Sequence, residues 1–352
     1  MTGVDGRWLE GLEEAARSKL PAPVFRYFEH GSGAGRTASE APGSWPAIRF
    51  LPRVLRDVRR VDLATRVIGG ELAVPFGVAP TTLQRAAHPD GELAMARATA
   101  VAGSLMVVSS NAGTSFDEIR DTGVRWWLQA YLPQQRALAE PLLARAVEAG
   151  AEAVVLTVDT PVVATKYDEA PRVWDVIEPS MLRINFADGP DPEAAATKAT
   201  DLGPDDIAWI RDVTGLPVVV KGVLHPDDAR ACVAAGASAI WVSNHGGRQL
   251  DRAVATADAL SDVVRAVRAT GDAQVYVDGG VRCALDILAA LALGADLVFL
   301  GRLPLWALVG GESGVSRMHE LLTRDLVEAM RLAGLSTPAD APMIVRQHAK
   351  PL

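Results

Sequence analysis

Eight short apolar runs, each followed by a helical pattern, constrain the fold of this chain more than any other feature. The runs are rich in Val, Ile and Leu, and cover residues 74–79, 105–109, 126–131, 153–158, 217–221, 239–243, 274–277 and 297–300. Strands that are apolar on both faces and alternate with helices indicate a parallel sheet covered on both sides. Eight such units predict an α/β fold with one closed (β/α)8 barrel of the TIM type.

The length of 352 residues would suit two or three average domains, but α/β barrels often fill such a length as one unit. We predict one domain over residues 1–352. It comprises an N-terminal helical and extended segment (1–70), the barrel (71–310) and a C-terminal helical part (311–352). The long connection after the fourth strand, 160–203, is predicted to be a lid over the pocket, because barrel sites are built from these loops. A disordered surface excursion is the alternative.

Charge and composition exclude several kinds of partner. The chain has 43 acidic and 35 basic side chains, a formal net charge of -8, which disfavours nucleic acid and anionic membrane surfaces. Cys232 and Cys283 lie singly in apolar segments, so neither a disulfide framework nor a metal site is expected, and a reducing cytoplasm is favoured. The N-terminus lacks the apolar core of a secretory signal, and no run reaches the about 18 apolar residues of a membrane span.

The most informative motif follows the sixth strand and reads Ser-Asn-His-Gly-Gly-Arg-Gln-Leu-Asp over residues 243–251. Its glycines allow the backbone to approach a ligand closely. His245 can accept a proton near neutral pH, and Arg248 can bind a carboxylate through two parallel hydrogen bonds. Their joint position at the carboxyl end of a barrel strand favours catalysis over a purely structural role.

This motif resembles the signature of the FMN-dependent 2-hydroxy acid oxidases and dehydrogenases, the family of glycolate oxidase, lactate oxidase and mandelate dehydrogenase. The resemblance extends over most of the chain. It includes LPAPVFRYFEHGSG, LPRVLRDV, APTTLQRAAHPDGELAMARA, LTVDTP, VVVKGV, VDGGVR and LGADLVFLGR. The resemblance implies an FMN-binding barrel enzyme that acts on a small-molecule 2-hydroxy acid, and it suggests a homotetramer.

Family positions imply roles for individual residues. His245 would accept a proton, Asp159 would orient it and stabilise its imidazolium form, Tyr131 would contact the substrate hydroxyl, and Lys221 would offset negative charge on the reduced flavin. Arg248 and Tyr27 would bind the substrate carboxylate.

Glycines and arginines after the seventh and eighth strands predict a phosphate cradle, a common feature at that place in these barrels. The predicted cofactor-binding residues are Ala79, Pro80, Thr81, Ser109, Gln129, Thr157, Lys221, Ser243, Asp278, Gly279, Gly280, Arg282, Gly301 and Arg302. Those along the flavin ring rest on the resemblance, since strand-end polar residues can equally cap a helix or a turn.

Two departures from the family pattern concern the substrate. Lys166 stands where the family has an Arg that helps bind the carboxylate, and it supplies charge without the bidentate geometry. Arg172, farther along the loop, is a candidate substitute. Asn111 stands where glycolate oxidases carry Trp, which favours a larger or aryl 2-substituent, as in mandelate.

The predicted reaction is oxidation of an (S)-2-hydroxy acid to the 2-oxo acid. No haem domain pattern precedes the barrel, so oxygen is the expected acceptor, with a soluble carrier as the second choice. Two alternatives stay open: an FMN-dependent isomerase such as type 2 isopentenyl diphosphate isomerase, and a flavin-binding barrel with little turnover.

Overall fold

A closed barrel of parallel strands forms the centre of the protein, whose computed structural model describes residues 7–167, 170–187 and 189–345. The strands are β1 Thr65–Val67, β2 Gly70–Leu72, β3 Phe76–Val78, β4 Leu105–Ser109, β5 Arg125–Ala130, β6 Val154–Thr157, β7 Val218–Val223, β8 Ala239–Val242, β9 Gln274–Val277 and β10 Leu297–Leu300. Strands β3 to β10 pair in chain order, and β10 closes on β3. The predicted (β/α)8 barrel is confirmed, and each barrel strand overlaps one of the eight apolar runs.

Helices follow each barrel strand. The α-helices are α1 Trp8–Lys19, α2 Ala22–Glu29, α3 Arg36–Ser44, α4 Gln84–Ala87, α5 Gly91–Val101, α6 Phe116–Asp121, α7 Glu140–Glu148, α8 Pro192–Ala195, α9 Asp205–Thr214, α10 Pro226–Ala234, α11 Thr256–Thr270, α12 Ala284–Ala292, α13 Arg302–Leu308 and α14 Gly311–Ala333. Short 3-10 helices cover Trp45–Ala47, Arg136–Ala139, Val173–Asp175, Pro179–Met181, Ile184–Phe186, His245–Gly247 and Pro338–Ile344. Within the described part of the chain, we find no helix with the length and apolarity that a membrane crossing requires.

Local sequence explains where the helices begin and end. Ser115 begins α6 with a capping box: its Oγ accepts from the backbone of Glu118, whose carboxylate accepts from the backbone of Ser115. Gly215 ends α9 with a positive φ of 68°, a conformation that suits glycine. These signals are local, so the sequence alone predicts them.

Apolar side chains fill the amino-terminal end of the barrel interior. Trp127, Trp241, Tyr276 and Phe299 are fully buried there, and the Trp241 and Phe299 rings stack with centroids 3.8 Å apart. The β1–β2 hairpin packs Val67 and Leu72 into the same cluster, which closes this end of the barrel. The other, carboxyl end is therefore the one open to a ligand.

The N-terminal segment and the loop after β6 meet at the carboxyl end. The segment is helical through α3 and then has little regular structure between residues 48 and 64. Gly33 donates a backbone hydrogen bond to Thr165 of the loop, and Ser32 donates one to Gly247. The ends of the predicted first and last segments, 1–6 and 346–352, lie outside the described residues. The function of loop 160–203 as a lid stays a prediction.

Candidate active site

Polar side chains line the inner face of the barrel at its carboxyl end. Because side chains alternate along a strand, Ser109, Gln129 and Thr157 point inward from the ends of β4, β5 and β6. Ser109 Oγ donates to Gln129 Oε1 at 3.3 Å, and Gln129 Nε2 donates to Thr157 Oγ1 at 3.1 Å. All three are buried. This row gives the site an edge of donors and acceptors suited to the polar rim of a planar ring.

Lys221 on β7 continues the row as a buried cation. Its Nζ donates to Ser243 Oγ at 2.9 Å and lies 3.4 Å from Asp278 Oδ2, while Ser243 Oγ donates to Asp278 Oδ1 at 2.6 Å. A buried ammonium is tolerated when it is paired and hydrogen-bonded. Asp278, predicted as a cofactor residue, therefore contacts Lys221 and Ser243 in this structure.

His245 and Asp159 form the centre of the open end. His245 Nδ1 lies 2.8 Å from Asp159 Oδ1, so the other ring nitrogen, Nε2, is left to accept a proton. His245 has a positive φ of 57°, followed by Gly246 at 63° and Gly247 at 74°. A Cβ at Gly247 would overlap the backbone of Ala38 in α3, so this turn needs glycine. Positive φ at a histidine is an uncommon conformation that is often found at functional sites.

The two groups have different protonation states near neutral pH. Burial lowers the pKa of His245 below its ordinary value of 6.5, although the neighbouring Asp159 acts in the opposite direction. Burial by itself would raise the pKa of Asp159, but the attraction and hydrogen bond of His245, together with Lys221 and Thr160, lower it to about 2. The site thus holds a neutral imidazole against an ionised carboxylate, the arrangement that a general base needs.

Two further residues hold Asp159 in place, and the sequence analysis did not identify either. Thr160 Oγ1 donates to Asp159 Oδ1 at 2.9 Å, and Gln249 Nε2 donates to Thr160 Oγ1 at 2.8 Å. Thr160 lies in the LTVDTP motif, and Gln249 lies in the motif around His245. Position within those motifs was the available signal.

Arg248 and two tyrosines surround this pair. Arg248 Nη1 donates to the backbone carbonyls of Tyr27 and His30, and its guanidinium lies 4.8 Å from the centre of the Tyr27 ring. Burial raises the pKa of the Tyr131 hydroxyl, with Asp159 adding to the effect, so that hydroxyl stays protonated. The predicted substrate-binding residues Arg248 and Tyr27 are therefore in contact, and Tyr131 is electrostatically linked to Asp159.

A second cationic region follows β9 and β10. Arg302 donates to the backbone carbonyls of Phe28, Gly246 and His30. Burial lowers the pKa of Arg302 to about 9, with Arg248 and Arg282 contributing, and burial also lowers the pKa of Arg282. Neither Arg282 nor Arg302 has a carboxylate within 4.0 Å among residues 7–167, 170–187 and 189–345. Two partly buried guanidinium groups without a carboxylate this close fit a dianionic phosphate.

Glycines bring the backbone close to this region. Gly279 and Gly280 have φ values of 97° and 77°, and a Cβ at Gly280 would overlap the carbonyl of Ala41 in α3. Gly301, before α13, has open space where a Cβ would lie. Ala79, Pro80 and Thr81 follow β3 at the same end of the barrel. The residues predicted for FMN thus converge from several strands, and their chemistry fits a phosphate at one side and a ring edge at the other.

The long loop contributes three more cations. Lys166 Nζ donates to the carbonyl of Ala164 at 3.2 Å, and Lys198 Nζ lies 4.0 Å from the centre of the Tyr131 ring. Arg183 Nε donates to Asn111 Oδ1 at 3.1 Å, so the Asn111 amide is engaged by the loop. Lys198 and Arg183 were missed, because they lie in a segment without a motif or periodic pattern.

The Arg172 side chain, considered as a substitute for the family Arg, is exposed. Its backbone nitrogen donates to Asp175 Oδ2 at 2.7 Å, so residue 172 takes part in the start of a 3-10 helix. Trp174 lies beside Tyr27, with ring centroids 5.5 Å apart. The loop therefore reaches the candidate site with an aromatic side chain as well as with Lys166 and Lys198.

Comparisons with known proteins agree with this geometry. The profile of a family described as FMN-dependent dehydrogenase matches residues 16–347. L-lactate oxidase of Nostoc sp. is 40% identical over 93% of this chain and 94% of its own length. Human 2-hydroxyacid oxidase 1 is 38% identical over 93% of this chain and 92% of its own. A crystal structure of mandelate oxidase superposes with a TM-score of 0.88 at 36% identity, over 96% of this chain and 98% of that one.

Proposed function

Because the chain belongs to the FMN-dependent dehydrogenase family, we propose that it oxidises an (S)-2-hydroxy acid to the corresponding 2-oxo acid. Membership makes the protein an FMN-dependent oxidoreductase, and its cofactor is FMN. The names of the relatives include lactate, glycolate and mandelate oxidases, so the acid has to be argued from the residues of this site.

The observation that carries the proposal is the 2.8 Å contact between His245 Nδ1 and Asp159 Oδ1, a few residues from Arg248 at the open end of the barrel. Bound FMN would accept the two electrons and the hydrogen that leave the α-carbon of the substrate. His245 takes the proton of the substrate hydroxyl on Nε2, while Asp159 keeps the ring oriented and stabilises the imidazolium that results. The low pKa of Asp159 supports this role, because that carboxylate stays ionised throughout.

The substrate carboxylate is assigned to Arg248, Lys166 and Tyr27, and the substrate hydroxyl to Tyr131. Arg248 already has one nitrogen bonded to backbone carbonyls, which holds its guanidinium in one orientation. FMN is assigned to Arg282, Arg302 and the glycines after β9 and β10 at its phosphate, and to the row from Ser109 to Lys221 at its ring. Lys221 would there supply positive charge to the ring as it becomes reduced.

The 2-substituent is proposed to be larger than that of glycolate, an aryl ring or a longer chain. Asn111 is smaller than the Trp of glycolate oxidases, which supports this size. Oxygen as acceptor, a homotetramer and a cytoplasmic location are further parts of the proposal that rest on the family resemblance and on cysteine use.

An anaerobic panel tests the reaction. The purified, FMN-replete protein is mixed with (S)- and (R)-2-hydroxy acids from glycolate and lactate to mandelate, and the flavin absorbance is recorded. Rapid bleaching by an (S)-acid is expected, with larger acids ahead of glycolate. The His245→Ala protein should keep its FMN and lose reduction by several orders of magnitude. Undiminished reduction in this variant would refute the assignment of His245, and no bleaching by any acid would favour the isomerase or the inactive flavin barrel.

A further inference from the structure

The cations at the mouth of the barrel outnumber what one hydroxy acid needs. Arg248 and Lys166 are already assigned to the substrate carboxylate, Arg282 and Arg302 to phosphate, and Lys221 is paired with Asp278. Lys198 and Arg183 remain. Neither has a carboxylate within 4.0 Å in the described part of the chain, and the Asp159 carboxylate is engaged by His245.

Lys198 is held at the site by its neighbours rather than by its own charge. The backbone nitrogen of Ala199 donates to the carbonyl of Leu132 at 2.7 Å, and Ala199 is buried. This bond ties the loop to the residue that follows Tyr131, at the end of β5. The ammonium of Lys198 then lies over the Tyr131 ring, half-buried and directed into the site. A cation that packs on an aromatic face is positioned without an ion-pair partner.

Arg183, whose side chain is exposed, is held in a similar way at the end of the neighbouring strand β4. Its backbone donates to the carbonyl of Asn111 at 3.3 Å and its Nε donates to the Asn111 side chain, so Arg183 is tied to the end of β4. The residue adopts a positive φ of 60°, an uncommon conformation for Arg. Burial lowers the pKa of Lys198 to about 8; the Asp159 carboxylate opposes this effect, while the positive charges of Arg183 and Arg248 add to it.

The order of the strands in the barrel shows on which side of the mouth each of these cations lies. Strands β4 and β8 are four places apart in a closed barrel of eight, so their carboxyl ends lie on opposite sides of the mouth. Arg248 follows β8, whereas Asn111 with Arg183 follows β4 and Lys198 is tied to the end of β5. A hydroxy acid whose carboxylate binds Arg248 therefore extends its 2-substituent towards Lys198 and Arg183.

We infer that Lys198 and Arg183 form a second anion-binding position, so that the preferred substrates are 2-hydroxy acids whose 2-substituent ends in a carboxylate. The inference rests on the proposed function and names its substrate class. The distal carboxylate would sit between the two cations, with the Asn111 amide beside it. An apolar substituent would instead leave the half-buried Lys198 ammonium without this added partner.

The test compares each diacid with its distal amide, which has nearly the same shape and no charge at the distal end. The probes are (S)-malate, (S)-2-hydroxyglutarate, (S)-2-hydroxyadipate and 4-carboxymandelate, each beside the corresponding amide. We expect at least one diacid to reduce the flavin with a kcat/KM about tenfold or more above that of its amide, as charge-assisted hydrogen bonds would give. Equal values within each of the four pairs would overturn the inference.

Variants separate the distal position from the carboxylate site. Lys198→Met keeps the packing on Tyr131, and it should bring the diacid-to-amide ratio close to one, whereas Lys198→Arg should retain the ratio. Lys166→Met should weaken diacid and amide by the same factor and leave the ratio intact. If Lys198→Met lowered the kcat/KM values of the diacid and the amide by one common factor, Lys198 would bind the 2-carboxylate of the substrate and the inference would be wrong. Exposed Lys19→Met serves as the control for charge alone.

A binding measurement keeps this test independent of turnover. The dissociation constants of 2-oxoglutarate and its distal amide are read from the change in flavin absorbance of the oxidised holoenzyme. Tighter binding of the diacid by about tenfold is expected even if no acid bleaches the flavin. Bleaching by monocarboxylic acids without a diacid preference would leave the proposed function intact and refute the second anion-binding position. Tighter binding of the diacid without bleaching by any acid would support the second position and contradict the proposed function.

Discussion

Replacing Asp159 by Asn removes the charge that supports the proposed proton acceptor. Despite burial, the pKa of Asp159 falls from 3.8 to about 2, and His245 is the largest cause of the lowering. A shift of nearly two units corresponds to roughly 2–3 kcal/mol between the two protonation states, and Lys221 and Thr160 contribute to it beside His245. By reciprocity, the imidazolium form of His245 loses a comparable stabilisation when the carboxylate becomes a neutral amide. The rate of flavin reduction at pH 7 should then fall at least tenfold.

The assay is stopped-flow reduction of FMN-replete protein under anaerobic conditions, with saturating substrate. The limiting rate should fall while the substrate concentration at half-maximal rate changes little, because Asp159 contacts His245 rather than the substrate carboxylate. Asp117→Asn, on the exposed face of α6, is the matched control and should reduce at the wild-type rate. FMN content and circular dichroism establish that both variants are folded. A limiting rate for Asp159→Asn within about threefold of wild type would refute the reasoning.

Four further outcomes follow from the same contacts. Because the pKa of His245 lies below 6.5, kcat/KM should rise with pH and reach half its plateau below pH 6.5. KM should increase as pH rises through about 8, because Lys166 and Lys198 lose their protons there. Kinetics that do not change with pH would contradict both predictions. Gly247→Ala should lower the free energy of unfolding by about 2–4 kcal/mol, because the added Cβ overlaps Ala38 and the residue has a positive φ. Thermal or urea denaturation measures this change. The control is Gly43→Ala, where the added Cβ meets open space and the free energy of unfolding should change little. Arg302→Met should raise the FMN dissociation constant at least tenfold in a flavin fluorescence titration, and unchanged affinity would remove Arg302 from the phosphate site.

The pattern of apolar runs was sufficient to predict the barrel. A strand buried on both faces must be apolar along its whole length, and this requirement is visible without knowing what the strand contacts. The same logic predicted where the candidate site residues would meet. Closing eight parallel strands brings their carboxyl ends together, so Gln129, Thr157, Lys221 and His245 could be expected at one mouth although they are far apart in sequence.

Individual partners followed less directly from the sequence. The contact of Asp278 with Lys221 and Ser243 depends on neighbouring strands being in register, which a list of strand ends does not contain. Thr160 and Gln249 lay inside recognised motifs, but their link to Asp159 exists because two loops cross above the barrel.

The long loop shows most clearly the difference between what the sequence predicts and what depends on the folded structure. Periodicity and motifs, which depend on local sequence, predicted the strands, the glycine turns and the residues to which we assign the chemistry. The loop has no such repeat, and its path depends on single long-range bonds, such as Ala199 to Leu132 and Arg183 to Asn111. Only the folded chain brings Lys198 onto Tyr131, because that position depends on where the loop meets the barrel rather than on the residues next to it in sequence.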